Sequence, residues 1–174
     1  MGSESDERKE DAVLPQADAG ALADGRQSDA ALQIGRGAGR VLIAHGFARL
    51  TEFTLMSGRR ADLIGVGRGG EVWIVEIKSS IADFRADLKW PEYREFCDQF
   101  FFAVAPDFPK EILPADTGLI LADRYGGEGI RPAPLHKLAP ARRKALMLQF
   151  ARTGAFRLHS LADGDMPTGG FTKE

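Results

Sequence analysis

One stretch limits the fold more than any other: Glu71-Val72-Trp73-Ile74-Val75-Glu76-Ile77-Lys78. β-Branched and aromatic residues dominate it, so it reads as a strand. Alternate residues of a strand share a face. Val72 and Ile74 lie on one face, and Trp73, Val75 and Ile77 on the other. Both faces are apolar, so the strand is expected to be buried. Glu76 and Lys78 stand out because they share the Val72 face and close an otherwise buried strand. Buried charges persist when they are paired or hold a metal.

Two more strands are predicted just before it. Leu50–Met56 leads through Ser57-Gly58-Arg59 into Arg60–Val66, and Gly67-Arg68-Gly69-Gly70 leads into the third strand. Connections this short make an antiparallel meander. If Arg68-Gly69-Gly70 is the loop, Gly67 pairs with Glu71 and Asp62 falls opposite Glu76. Directly opposed side chains have Cβ atoms about 5 Å apart. A loop longer by one residue would turn Asp62 to the wrong face. With Ser57-Gly58-Arg59 as the first loop, Asp62 faces Thr54, and Glu52 is a diagonal neighbour on the same face.

Two carboxylates held that close repel unless a cation neutralises them, and hard oxygen ligands suit Mg²⁺ or Mn²⁺. Lys78 adds a positive group that can orient an attacking water or contact a phosphate. The set is equipped for hydrolysis of a phosphodiester. The rival reading is an ion pair between Glu76 and Lys78, with Asp62 paired to Arg59 or Arg60.

The remaining pattern completes an α/β chain. Ala31 to Phe47 reads as a helix with a rough apolar face, stopped at Gly46. Gly35, Gly37 and Gly39 weaken that helix. Ser80 or Asp83 can cap a helix after the lysine, and Pro91 splits it into two short pieces near Trp90. Phe100–Ala105 is nearly all apolar and suits a central strand covered on both faces, Gly118–Ala122 is a further strand, and Ala139–Phe150 is an amphipathic helix opened by Pro140.

At 174 residues the chain has one domain's length. Residues 1–34 hold eight acids and three bases, whereas the remainder holds 20 bases and 17 acids. The division expected is an acidic disordered tail over residues 1–30, a mildly basic domain over 31–161 and a flexible tail over 162–174. The single cysteine, Cys97, permits no intrachain disulfide. No apolar run has the length of a membrane span, and the acidic N-terminus lacks signal-peptide features. A cytoplasmic protein of a bacterial cell is expected.

Asp62 followed by Glu76-Ile77-Lys78 resembles the PD-(D/E)xK nuclease superfamily. Gly58-Arg59-Arg60-Ala61-Asp62, Val75-Glu76-Ile77-Lys78-Ser79-Ser80, Asp83-Phe84-Arg85, Asp87, Lys89-Trp90, Tyr93 and Cys97-Asp98 resemble more closely the MmcB family of bacterial DNA-repair-associated proteins. The resemblance spans roughly residues 33–160. It implies a restriction-endonuclease-like αβββαβ core, a central mixed sheet flanked by helices. It also implies Asp62, Glu76 and the Ile77 carbonyl as metal ligands, Lys78 as the catalytic lysine, and DNA repair as the setting. Many superfamily members carry another Glu on the first helix. Residues 35–47 contain no acid, and Glu52 is the nearest substitute.

DNA is therefore the expected partner, alongside other repair proteins. Arg36 and Arg40 share a helix face and can follow a DNA strand. Arg60, Ser80 and Lys89 flank the motif as candidate contacts, and Trp90 or Tyr93 can stack on a splayed base. Packing is the alternative for Trp90 and Tyr93. Asp83 and Asp98 are expected to cap or pair, Cys97 to be a small buried residue, and Arg142, Arg143 and Lys144 to be solvated. A non-catalytic DNA-binding or adaptor module on the same fold is the rival function.

Overall fold

The computed structural model describes residues 28–163. The tail assignments for residues 1–27 and 164–174 lie outside the described residues. Ser28 caps the first helix by accepting from the Ala31 N–H (3.2 Å), and α1 (Asp29–Ala44) follows with Asp29 in its first turn. An acid there suits the positive end of the helix. The first helix thus begins before residue 31. Gly46, with φ +80, ends the helix as expected.

Six strands form one sheet in sequential order: β1 (Ala48–Thr54), β2 (Arg60–Val66), β3 (Val72–Lys78), β4 (Gln99–Val104), β5 (Gly118–Ala122) and β6 (Gly127–Arg131). β1, β2 and β3 form an antiparallel meander, β4 and β5 run parallel to β3, and β6 returns antiparallel. The chain crosses from β3 to β4 through α2 (Ile81–Ala86) and a 3-10 helix (Trp90–Phe96). These are the two short helices that Pro91 demanded. The mixed sheet flanked by helices agrees with the expected nuclease-like core. β6 had no sequence signal: its five residues include two glycines and four are exposed. The last helix, α3 (Pro140–Asp163), runs well beyond Phe150 and past residue 161.

Both faces of the sheet are covered, as the apolar run Phe100–Ala105 required. α1 lays Ile34, Ala38, Val41 and Leu42 over Leu63, Val75, Ile77, Phe101 and Ile120. The three helix glycines have a packing reason. A Cβ at Gly37 would overlap the carbonyl oxygens of Gly126 and Asp123, so the bare backbone lets α1 settle onto the β5–β6 turn. On the other face Ile64, Val72, Ile74, Phe100 and Phe102 pack with Tyr93, Cys97 and Leu146. Asp98 ties this face together. It accepts from the Val72 and Leu138 N–H groups (2.8 and 3.0 Å) and takes both terminal nitrogens of Arg143 at 2.7 Å. Arg143 is therefore a half-buried partner of Asp98 rather than a freely solvated base. Arg142 also departs from expectation, since it pairs with Glu95. Lys144 is exposed.

Candidate functional site

The β2–β3 register decides the site. Leu63 pairs with Val75, Ile64 with Ile74 and Val66 with Val72, and the Gly67 N–H donates to the Glu71 carbonyl. Continued one step, this register sets Asp62 across from Glu76, as the three-residue loop required. The β1–β2 register differs from expectation. Leu55 and Arg59 close the first hairpin, with Met56-Ser57-Gly58 as its loop and Gly58 at φ +81. Thr51 pairs with Leu63 and Phe53 with Ala61, so Asp62 lies across from Glu52, not Thr54. A slip of two residues keeps the face, because the side-chain period is two. Glu52 has φ 46, a left-handed conformation uncommon outside glycine.

Asp62 and Glu76 are laced through the backbone. The Asp62 N–H donates to Glu76 Oε1 (3.3 Å), and the Ile77 N–H donates to Asp62 Oδ2 (2.8 Å). Burial pushes the Asp62 carboxyl up to about 6, with the Ile77 N–H opposing and the Glu52 charge adding. Burial, then the charge of Asp62, pushes Glu76 well above the usual carboxylate range. Two adjacent acids that both resist ionisation need a positive partner.

Lys78 supplies one at the end of β3. It is only 4% exposed. Its Nζ lies 3.9 Å from Glu76 Oε2 but 2.6 Å from Asp87 Oδ2. Burial alone would lower its pKa; the hydrogen bond to Asp87 and the charge of Glu76 outweigh that and hold it above the usual lysine value. Asp87 is the partner that sequence reasoning noted without assigning a role.

Asp62, Glu76, Ile77 and Lys78 wall a cavity of about 290 Å³, together with Ser79 and Asp83 and with Ser28 and Ala31 at the start of α1. A larger depression of about 610 Å³ opens at the opposite end of β3 around Trp73 and Gln99. Its polar groups serve the fold: Gln99 donates to the Ala133 carbonyl, and Glu71 accepts from the Gly69 N–H. The smaller, acid-lined cavity is the candidate site.

Among the described residues no three His, Cys, Asp or Glu side chains are grouped as a metal cage. Glu52 is close enough to raise the Asp62 pKa, but its carboxylate pairs with Arg60 Nε at 2.6 Å. The donor set is one buried carboxylate, Glu76, and one half-buried carboxylate, Asp62, beside an open cavity. That set fits Mg²⁺ or Mn²⁺, since Mg²⁺ is held by one or two carboxylates and keeps several waters.

Of the other sequence candidates, some border the site and some do not. Arg60 pairs with Glu52. Ser80 caps α2 by accepting from the Asp83 N–H (3.1 Å), and Asp83 accepts from the Ser79 N–H (3.1 Å). Lys89 is exposed at the end of the same segment. Trp90 packs on Phe100 and Phe102 with Arg94 over its ring, and Tyr93 stacks on Phe100 and donates to the Arg60 carbonyl. Trp90 serves the core, whereas the Tyr93 hydroxyl also stands beside the acid pair: burial, then the charges of Glu76 and Asp62, push its pKa up. Arg36 is exposed on α1, whereas Arg40 donates to the carbonyls of Arg124 and Tyr125. Burial pushes the Cys97 thiol up to about 12, which makes it inert.

The family model described as DNA repair protein MmcB-like matches residues 18–165. A solved structure of a protein of unknown function from Silicibacter pomeroyi is 46% identical, with a TM-score of 0.77. The alignment covers 84% of this chain and 99% of that one. No curated protein matches. Among the described residues no helix is long and apolar enough to cross a membrane.

Proposed function

This chain belongs to the MmcB-like DNA repair protein family, and we propose that it is a metal-dependent nuclease that hydrolyses phosphodiester bonds in DNA during repair. The observation that carries this reading is the adjacent pair of carboxylates, half-buried Asp62 and buried Glu76, with Lys78 beside them in one open cavity.

Asp62, Glu76 and the Ile77 carbonyl would hold the cation. When bound, Mg²⁺ or Mn²⁺ supplies Lewis-acid stabilisation of the charge that builds on the phosphoryl group. The protein's own residues do the rest. Asp62 is fixed by the Ile77 N–H, so its carboxylate is oriented before substrate arrives. Lys78 offers a positive charge from a nearly buried position, where it acts more strongly than in water. It meets the scissile phosphate and steadies the attacking water. The water oxygen forms a new P–O bond while an ester P–O bond breaks, and the proton lost by water ends on the departing oxygen. Exposed Arg36, Arg60, Ser80 and Lys89 are the proposed contacts to the DNA backbone. Trp90 and Tyr93 act behind them by packing.

Two features favour a second reading, a DNA-binding module without catalysis. Lys78 is already engaged by Asp87, and no three-acid cage is present among the described residues. Cleavage of labelled single-stranded, flapped and branched DNAs with Mn²⁺ or Mg²⁺ separates the two. Cleavage by wild type that is lost in Glu76→Ala and Lys78→Ala, with melting curves showing all three folded, supports the nuclease. DNA bound but never cut by any form refutes it in favour of the binding module.

A further inference from the structure

Lys78 has a closer partner than the acid it shares a strand with. Its Nζ is 2.6 Å from Asp87 Oδ2 and 3.9 Å from Glu76 Oε2. Asp87 lies nine residues downstream, at the end of the six-residue helix α2. That helix has no fully buried residue and packs on the core through half-buried Phe84. Polar contacts and that ring hold it. Ser80 caps it through the Asp83 N–H, Asp83 reaches back to the Ser79 N–H, and the Phe84 ring meets Phe102 edge-on at 5.6 Å. At its far end the Asp87 N–H donates to the Phe84 carbonyl, and Asp87 Oδ1 accepts from the Lys89 N–H at 3.0 Å. Asp87 is thus gripped on both sides, with Oδ2 aimed at the lysine. Segment 79–87 forms a bracket that leaves the end of β3 and returns an acid to the amine it has just passed.

A lysine ammonium has three donors. One is committed to Asp87, and Glu76 at 3.9 Å is beyond hydrogen-bond range, so donors remain for the cavity. A flexible four-carbon side chain held at its tip presents those donors in one direction. We propose that Asp87 is the positioning residue of the site: it fixes the Lys78 ammonium at the cavity wall so that its remaining donors meet a DNA phosphate. The proposal rests on the reading of Lys78 as the phosphate-facing group. Asp87 does not itself touch the reacting atoms. Losing this hold displaces the ammonium, and a displacement of about 1 Å can cost about 100-fold in rate.

The test compares wild type with Asp87→Asn, Asp87→Glu and Lys78→Ala, each checked by thermal melting. The first readout is nitrogen-detected NMR of lysine side chains, which needs no catalysis. Wild type should show a Lys78 ammonium signal protected from solvent exchange, identified by its absence in Lys78→Ala. Asp87→Asn should lose that protection and Asp87→Glu should retain part of it. The second readout is cleavage of the best DNA of the panel: Asp87→Asn should lower kcat about 100-fold with KM little changed, and Asp87→Glu should recover part of it. A protected Lys78 signal that survives Asp87→Asn overturns the proposal, as does a kcat that Asp87→Asn leaves unchanged. If wild type cuts no DNA, the nuclease reading falls, and the positioning claim stands or falls on the NMR signal together with DNA affinity. Weaker binding by Asp87→Asn then supports it, and unchanged binding overturns it.

Discussion

The acid pair should make the protein less stable than it could be, and Asp62→Asn measures by how much. Burial raises the Asp62 pKa from 3.8 to about 6. At about 1.4 kcal/mol for each tenfold change in proton affinity, holding that carboxylate ionised costs the fold about 3 kcal/mol at pH 7.5. The folded pKa lies above the unfolded one, so the folded state binds the proton more tightly. Stability from this group is therefore fully present below pH 3.8 and is lost as pH rises through about 6. Asparagine keeps an oxygen to accept from the Ile77 N–H and places an amide beside the Glu76 carboxylate. Urea unfolding in EDTA should find Asp62→Asn more stable than wild type by about 3 kcal/mol at pH 7.5, equivalent to a melting shift of about 6–12 °C. At pH 4.5, where wild-type Asp62 is largely protonated, the gain should shrink to about 1 kcal/mol. Added Mg²⁺ or Mn²⁺ should stabilise wild type and not the variant. A variant no more stable than wild type at pH 7.5, or a gain that does not shrink with acid, would refute the account of a strained acid pair.

Three further outcomes are expected. Asp98→Ala strands Arg143 and leaves the Val72 and Leu138 N–H groups without their acceptor; urea midpoints should show a loss of about 3–5 kcal/mol. Gly37→Ala forces α1 off the carbonyls of Gly126 and Asp123, and the same assay should show a loss of about 1–3 kcal/mol. DNA affinity should fall as salt rises, and Lys89→Ala, which removes an exposed base beside the site, should flatten the log–log slope by about 0.9 for one lost phosphate contact; an unchanged slope would remove Lys89 from the interface.

The sequence alone determined the centre of the molecule. Apolar residues on both faces of Val72–Ile77 require a buried strand, and the glycines after Val66 set a loop whose length carries Asp62 opposite Glu76. Both are local effects, a period of two and a short turn, and local effects are legible in a chain. The first hairpin shows the limit: Ser57-Gly58-Arg59 marks a turn, yet the loop is Met56-Ser57-Gly58, so Glu52 rather than Thr54 lies across from Asp62. The face survived because the error was two residues. β6 has no periodic apolar signal and exists only because β5 offers an edge. The helix glycines, unfavourable locally, are explained by how closely α1 approaches the β5–β6 turn. Arg143 and Asp98 are separated by 45 positions, and only the packing of α3 over the sheet joins them. The same holds for the site's lysine. Its charge is written in the chain, but its partner depends on where a six-residue helix, packed on the core through Phe84, comes to rest. Tertiary structure decides such pairings because burial makes an unpaired charge costly, and the fold settles which opposite charge lies within reach.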